Sequence, residues 1–129
     1  MDIERVAHYW LTNAELKWST AESLYQSKKY ADSLFFYHLA IESLPKARVV
    51  RITHVHASHT HDLVELAKRA QTEMSDERCE ELKTITTFNL KARYPDEKFE
   101  FYQRATEDYA RLWIEKINSI KLWIQGYLK

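Results

Sequence analysis

The residues that make tight turns are almost absent from this chain. Among its 129 residues there is one glycine, Gly126, and there are two prolines, Pro45 and Pro95. A many-stranded protein needs such residues at its hairpins, so the expected fold class is all-α. The length suits one domain over residues 1–129.

The charge balance limits how the chain could bind nucleic acid. Nineteen basic residues match nineteen acidic ones, so no overall positive field exists and any such role must rest on a local site.

No run of 18 apolar residues occurs, and the N-terminus MDIERVAHYW carries charges where a signal peptide needs an apolar core. We therefore expect a cytoplasmic protein that does not enter membranes. The single cysteine, Cys79, lies among acidic residues and is expected to be unreactive.

Apolar residues recur at helical spacing in five segments. The predicted helices cover residues 2–27, a segment from 30, residues 62–71, residues 75–93 and residues 102–127. Ser75 is a plausible N-cap, and Pro95 should end the fourth helix near Arg93 because a proline disfavours helical geometry in the preceding residue. The short connections predict an up-and-down bundle of about five helices in which the last can pair with the first.

The second predicted helix has two notable features. His38, Glu42 and Lys46 lie four residues apart on one face, with glutamate on the N-terminal side of lysine as ion pairing favours. This stripe is either a row of solvated ion pairs or a functional face. Pro45 removes one backbone donor and crowds the carbonyl of Ile41, so we expect a kink or an early end near Ser43.

A basic segment followed by a histidine tract occupies the middle of the chain. Its members are Lys46, Arg48, Arg51, His54, His56, His59 and His61. Because imidazole binds zinc, copper and nickel, one hypothesis is a histidine-rich metal-binding protein. However, the spacing H-x-H-x-x-H-x-H matches no structural zinc pattern, and no cysteine or carboxylate cluster joins it. The alternative is that His61 orders the start of a helix while the others lie exposed on a loop.

Three short motifs, in order, resemble those of HEPN domains. They are AIESLPKA at residues 40–47, THDL at 60–63 and ARYPD at 92–96, followed by a long final helix. The resemblance spans almost the whole chain and implies a helical bundle with a four-helix core. It also implies a homodimer that acts beside a small nucleotidyltransferase in a two-gene, toxin–antitoxin-like module. Nucleotide binding is associated with the family, and no cofactor is implied.

Many HEPN domains are metal-independent ribonucleases with an Arg-x4-6-His motif toward the C-terminal helices. In this chain no histidine follows His61, so that motif is missing from its expected place. The bare pattern occurs earlier, as Arg51 with His56 and as Arg48 with His54. A histidine could act there as general base on a ribose 2′-hydroxyl while an arginine stabilises the phosphorane. In a helix the partners would point about 140° and 120° apart, so such a site needs an irregular backbone.

A nucleotide or RNA site would use the basic end of the second helix together with the ARYPD turn. The arginines and Lys46 would contact phosphates, and Tyr94 or His56 could stack on a base. The candidate binding residues are Lys46, Arg51, His61, Arg93 and Tyr94, with Glu42, Asp62 and Asp96 in support. For Arg93 and Tyr94 the alternative is a structural role, closing the fourth helix over the bundle. Pro45 departs from the usual small or aliphatic residue of the family and puts the direction of this basic end in question.

These observations give a ranked set of functions. The leading prediction is a HEPN component of a two-gene module, homodimeric, that contacts a nucleotidyltransferase and binds nucleotide or RNA. A metal-independent ribonuclease toxin is the alternative, and a histidine-rich metal binder is the second alternative.

Overall fold

A computed structural model describes all 129 residues and contains no β-strand. The expected all-α bundle is confirmed, with six α-helices rather than about five. The helices are α1 (Ile3–Gln26), α2 (Tyr30–Thr53), α3 (Leu63–Arg69), α4 (Asp76–Thr86), α5 (Pro95–Arg104) and α6 (Glu107–Gln125), with one 3-10 turn at Leu90–Ala92. No helix in the chain has the length and apolar character needed to cross a membrane.

Small side chains let α1 and α2 approach closely as an antiparallel pair. One buried small residue faces the partner every seven residues, or about two helical turns, on each helix. The hydroxyl of Ser33 donates to the backbone carbonyl of Ala21 at 2.7 Å, which fixes the register at one end. The residues with this spacing are Ala7, Ala14 and Ala21 on α1 and Ser33, Ala40 and Ala47 on α2.

The expectation that Pro45 ends the second helix near Ser43 is wrong. Pro45 is buried inside α2, and the helix continues for two further turns to Thr53. Packing against α1 continues on both sides of the proline, through Ala40 and Ala47. Packing against α1 therefore outweighs the hydrogen bond that the proline cannot donate. The basic segment at the end of α2 remains helical.

The C-terminal half is divided differently from the sequence prediction. Ser75 caps α4 as expected, accepting a hydrogen bond from the Arg78 amide. The helix ends at Thr86 rather than near Arg93, because the chain turns there to bury Phe88. The ring of Phe88 lies 5.4 Å from Phe101 and 5.7 Å from Trp113, centroid to centroid. This aromatic contact joins the segment between α4 and the 3-10 turn to α5 and α6.

The chain after Tyr94 forms two helices where the sequence predicts one, over residues 102–127. Most of α5 lies before that predicted start, and α6 begins at Glu107. Pro95 occupies the first turn of α5, where its missing amide costs nothing, and Thr106 caps α6 by accepting from the Tyr109 amide. The last helix was expected to pair with the first. Instead, both α1 and α6 pack on α2, which makes α2 the central helix. The helices α1 and α6 meet mainly through long side chains, as where the Lys121 ammonium lies 4.1 Å from the centroid of the Trp18 ring.

Candidate functional site

The polar side chains of His38, Glu42 and Lys46 on α2 are buried, and Glu42 contacts one histidine of the following loop. The Glu42 carboxylate lies 3.3 Å from the Lys46 ammonium and 2.6 Å from Nδ1 of His61, which comes from the loop between α2 and α3. Only 6 % of Glu42 and 4 % of Lys46 is exposed. The Lys46 ammonium also lies over the Trp10 ring, 4.9 Å from its centroid. The stripe is therefore not a row of solvated ion pairs.

The loop before α3 holds His61 in place through several local contacts. The carboxylate of Asp62 caps α3 by accepting from the amides of Val64 and Glu65. The amide of Leu63, the first residue of α3, donates to Thr86 Oγ1 at 3.1 Å and so connects the loop to α4. The supporting role expected for Asp62 is thus to start α3 beside His61 rather than to pair with a cation.

His38 lies in the core next to the cluster and contacts the His61 backbone as a neutral ring. It is fully buried, and its Nε2 lies 3.3 Å from the carbonyl oxygen of His61, to which it can donate. Burial lowers the pKa of the His38 imidazole, and the neighbouring Glu42 carboxylate opposes this only in part. The other ring nitrogen, Nδ1, has no hydrogen-bond partner.

The cluster leaves a single chemically available group on the surface. The side chain of His61 is 55 % exposed, whereas Glu42 is buried behind it. Because the carboxylate holds Nδ1, the free Nε2 can accept a proton or donate to an anion. An imidazole positioned by a buried carboxylate is an arrangement suited to binding phosphate or to general acid–base chemistry.

Arg48 and Arg51 are engaged in holding the ends of other helices. Arg48 donates to the carbonyls of Ala70 at 3.0 Å and Tyr127 at 3.2 Å. Arg51 donates to Leu128 at 3.0 Å and pairs with Glu4 at 3.3 Å. These carbonyls follow α3 and α6, where cations stabilise unsatisfied groups.

The two Arg–His pairs of the ribonuclease alternative are not assembled. No hydrogen bond joins Arg48 or Arg51 to a histidine, since their donors face carbonyls and Glu4. His54 ends α2 with a left-handed backbone (φ 60°), and His56 lies on the exposed loop beyond it. The irregular backbone that such a site requires begins only after both arginines.

The histidine tract does not converge. His54, His56 and His59 are exposed at separate points of the loop, while His61 contacts Glu42. No three histidine, cysteine, aspartate or glutamate side chains form a group that could hold a metal ion. The geometry therefore gives no support to a metal site built on this tract.

The ARYPD turn lies at the start of α5. The guanidinium of Arg93 packs over the Phe101 ring, 5.6 Å from its centroid, and its charge acts on Tyr109 in the first turn of α6. Tyr94 is 75 % exposed, and Asp96 is an exposed acidic residue in the first turn of α5. Arg93 thus has a packing role, while Tyr94 remains free for a partner.

The two candidate binding regions do not form one surface. Arg51 contacts Leu128 after the end of α6, whereas Arg93 lies near Tyr109 at its beginning. At 1.5 Å per residue these positions are separated by about 28 Å along α6. The expected shared site of the basic end of α2 and the ARYPD turn is therefore wrong, and the two places must be treated separately.

The sequence motifs and this helical arrangement agree with a family model. The model of the HEPN domain matches residues 7–127, nearly the whole chain. The chain belongs to the HEPN domain family. No curated protein and no solved structure matches it. As a HEPN domain, it has family support for a role related to nucleotides or RNA.

Two of the three HEPN motifs meet in the polar cluster. AIESLPKA supplies Glu42 and Lys46, and THDL supplies His61 and Asp62. The third motif, ARYPD, begins α5 at the far end of α6. Two HEPN motifs of this chain thus contribute to one site, and the third lies far from it at the start of α5.

Sequence reasoning missed a pocket on α1. A cavity of about 340 Å³ is bounded by Arg5, Val6, Tyr9, Trp10 and His56. The signal was present in the sequence, because Tyr9 and Arg5 fall on the polar side of an otherwise regular amphipathic helix. What could not be foreseen was that the loop carrying His56 would return to this helix.

Proposed function

We propose that this HEPN domain binds a nucleotide or RNA at the surface around His61. The observation that supports the proposal is the 2.6 Å contact that fixes His61 against the buried Glu42 while 55 % of its side chain stays exposed. The contact orients the imidazole and leaves Nε2 for a phosphate oxygen. Lys46 contributes by balancing Glu42 rather than by touching the ligand, because it is buried.

His61→Ala tests this site directly. We expect the variant to bind a fluorescein-labelled 12-nucleotide RNA about tenfold more weakly than the wild type in an anisotropy titration, because one charge-assisted contact is lost. His59→Ala is the matched control, since His59 is exposed on the same loop but touches no carboxylate. Equal affinities of the two variants, or no RNA or nucleotide binding by the wild type, would contradict the proposal.

We further propose that the protein is a homodimer and works with a nucleotidyltransferase in a two-gene, toxin–antitoxin-like module. The family resemblance motivates this, and the surface offers room for partners. Leu112 and Leu122 on α6 are 51 % and 71 % exposed. Separately, a groove between α1 and α6 is lined in part by the apolar side chains of Trp18 and Leu44. Exposed apolar surface of this kind is typical of interaction sites.

The module proposal has a simple biochemical test. The gene next to this one should encode a small nucleotidyltransferase, and the two proteins should co-purify when only one carries a tag. A neighbouring gene of that kind whose product shows no affinity for this chain would argue against the module, even if His61 binds RNA.

The Glu42–His61 pair also favours one second candidate, a metal-independent ribonuclease. Here His61, rather than His54 or His56, would take the proton of a ribose 2′-hydroxyl. RNA cleavage should then persist in a chelator and disappear in His61→Ala but not in His56→Ala. Cleavage that survives His61→Ala would assign the activity elsewhere.

A further inference from the structure

The first turns of α1 carry an arginine that the fold does not use. The Arg5 guanidinium makes no hydrogen bond, ion pair or ring contact, although the Arg5 amide donates to Asp2. Six of the other seven arginines hold helix ends, form ion pairs or pack on rings. Arg5 is exposed at the edge of the pocket that His56 closes from the loop side. Two side chains able to bind an anion therefore flank the same opening.

The lining of this pocket is aromatic. Tyr9 is 59 % exposed although its ring has a large apolar face. It meets Trp10 edge to face, with centroids 5.1 Å apart and planes at 76°. Aromatic faces left open beside cationic side chains are the surface on which nucleobases stack. The volume of about 340 Å³ is within the range of small-molecule sites.

We propose that this pocket binds one nucleotide unit, with the base stacked on the Tyr9 ring and its edge against Trp10, and with the phosphate held by Arg5 and His56. The inference rests on the proposed function and extends it to a part of the molecule that no HEPN motif of this chain covers. The unit comes either from a free mononucleotide or from a single-stranded RNA, since both present a base and a phosphate.

The pocket is connected to the His61 site by direct contacts. The Trp10 ring that lines the pocket also covers the Lys46 ammonium at 4.9 Å, and Lys46 pairs with Glu42, which holds His61. Successive nucleotides of one strand could therefore occupy the two places, with the pocket holding a base and His61 contacting a neighbouring phosphate. A free mononucleotide would fill the pocket alone.

Variants of the pocket test the inference in the full-length protein. The probes are AMP, adenosine, ribose 5-phosphate and the labelled 12-nucleotide RNA. Tyr9→Ala should weaken AMP or RNA binding about tenfold because stacking is lost. Arg5→Gln should weaken it similarly and reduce the salt dependence of RNA binding by about one phosphate contact. Circular dichroism should show native helix content in both variants, since both side chains are exposed.

Matched controls lie elsewhere on the surface. Phe99→Ala removes an aromatic ring of similar exposure, 64 %, from α5. Lys28→Gln removes one positive charge just after the C-terminal end of α1, roughly 30 Å from Arg5. Neither should change binding by more than about twofold.

The possible results distinguish the pocket proposal from the proposed binding at His61. Tight binding of AMP that adenosine and ribose 5-phosphate fail to match would identify a mononucleotide site, and binding of RNA alone would identify a strand. Wild-type binding that falls in His61→Ala but not in Tyr9→Ala or Arg5→Gln would overturn the pocket while leaving the proposed function intact. Absence of binding to every probe would overturn both.

Discussion

Glu42 is the residue on which the polar cluster depends. It is the only carboxylate in contact with both Lys46 and His61, and it is almost entirely buried. Removing its charge would leave the Lys46 ammonium buried with only the Trp10 ring for compensation. An uncompensated buried charge costs far more than the loss of an exposed ion pair.

Glu42→Gln should lower the free energy of unfolding by about 3 kcal/mol, because it breaks a buried pair. The control is Glu80→Gln, whose carboxylate pairs with Lys83 at 3.1 Å but is 72 % exposed. That variant should lose less than about 0.5 kcal/mol. Urea denaturation measures both, and similar losses would show that the cluster does not matter for stability.

His38 should make the stability of the protein sensitive to acid. Burial lowers its pKa in the folded state, so below about pH 6.5 the unfolded chain binds a proton that the folded chain resists. The free energy of unfolding should therefore fall by about 1 kcal/mol between pH 7.5 and 5.5. In His38→Gln, whose amide can still donate to the His61 carbonyl, much of this pH dependence should vanish. An unchanged pH profile in the variant would be inconsistent with a neutral buried His38.

At the scale of elements, α2 organises the molecule. It carries Glu42 and Lys46 of the polar cluster, contacts α1 along its length and packs against α6. Its continuity through Pro45 places Arg48 and Arg51 on a helix, where they hold the chain after α3 and α6.

Pro45→Ala should raise the free energy of unfolding by about 1 kcal/mol. The restored amide can donate to the Ile41 carbonyl, and loss of the buried ring offsets part of that gain. Pro95→Ala is the comparison, because Pro95 occupies the first turn of α5 and should change stability little or unfavourably. A loss of stability in Pro45→Ala larger than that in Pro95→Ala would mean that the proline is needed for the shape of α2.

The sequence predicted elements better than their boundaries. The helical spacing of apolar residues and the cap at Ser75 are local signals, so α1, α3 and the start of α4 could be placed. The continuation of α2 through Pro45 could not, because packing against α1 decides it. The break at Thr106 carried a capping signal before Glu107 that the strong apolar period of the last segment outweighed.

The candidate site was predictable in part for the same reason. The i, i+4 spacing indicates that Glu42 and Lys46 pair, since one helix fixes both. The contact of Glu42 with His61 spans a loop of irregular backbone, which periodicity does not describe. The separation of Arg93 from Arg51 depends on the path of α6, and the pocket at Tyr9 depends on where the His56 loop returns.

For the whole molecule, the prediction concerns assembly. Light scattering at micromolar concentration should report about twice the chain mass of 15.5 kDa. Leu122→Glu should yield a monomer if the α6 surface forms the interface, because it places a charge in an apolar contact. Leu16→Glu, at an exposed position of α1, should leave the dimer intact. A monomeric wild type would refute the dimer without bearing on His61.

Ligand binding by the whole protein can be mapped residue by residue. In ¹⁵N-labelled protein titrated with AMP and with the 12-nucleotide RNA, amide shifts report every contacted segment at once. We expect changes concentrated in residues 3–10 and 54–62, around the pocket and His61. Changes confined to residues 92–98, or no changes at millimolar AMP and saturating RNA, would contradict it.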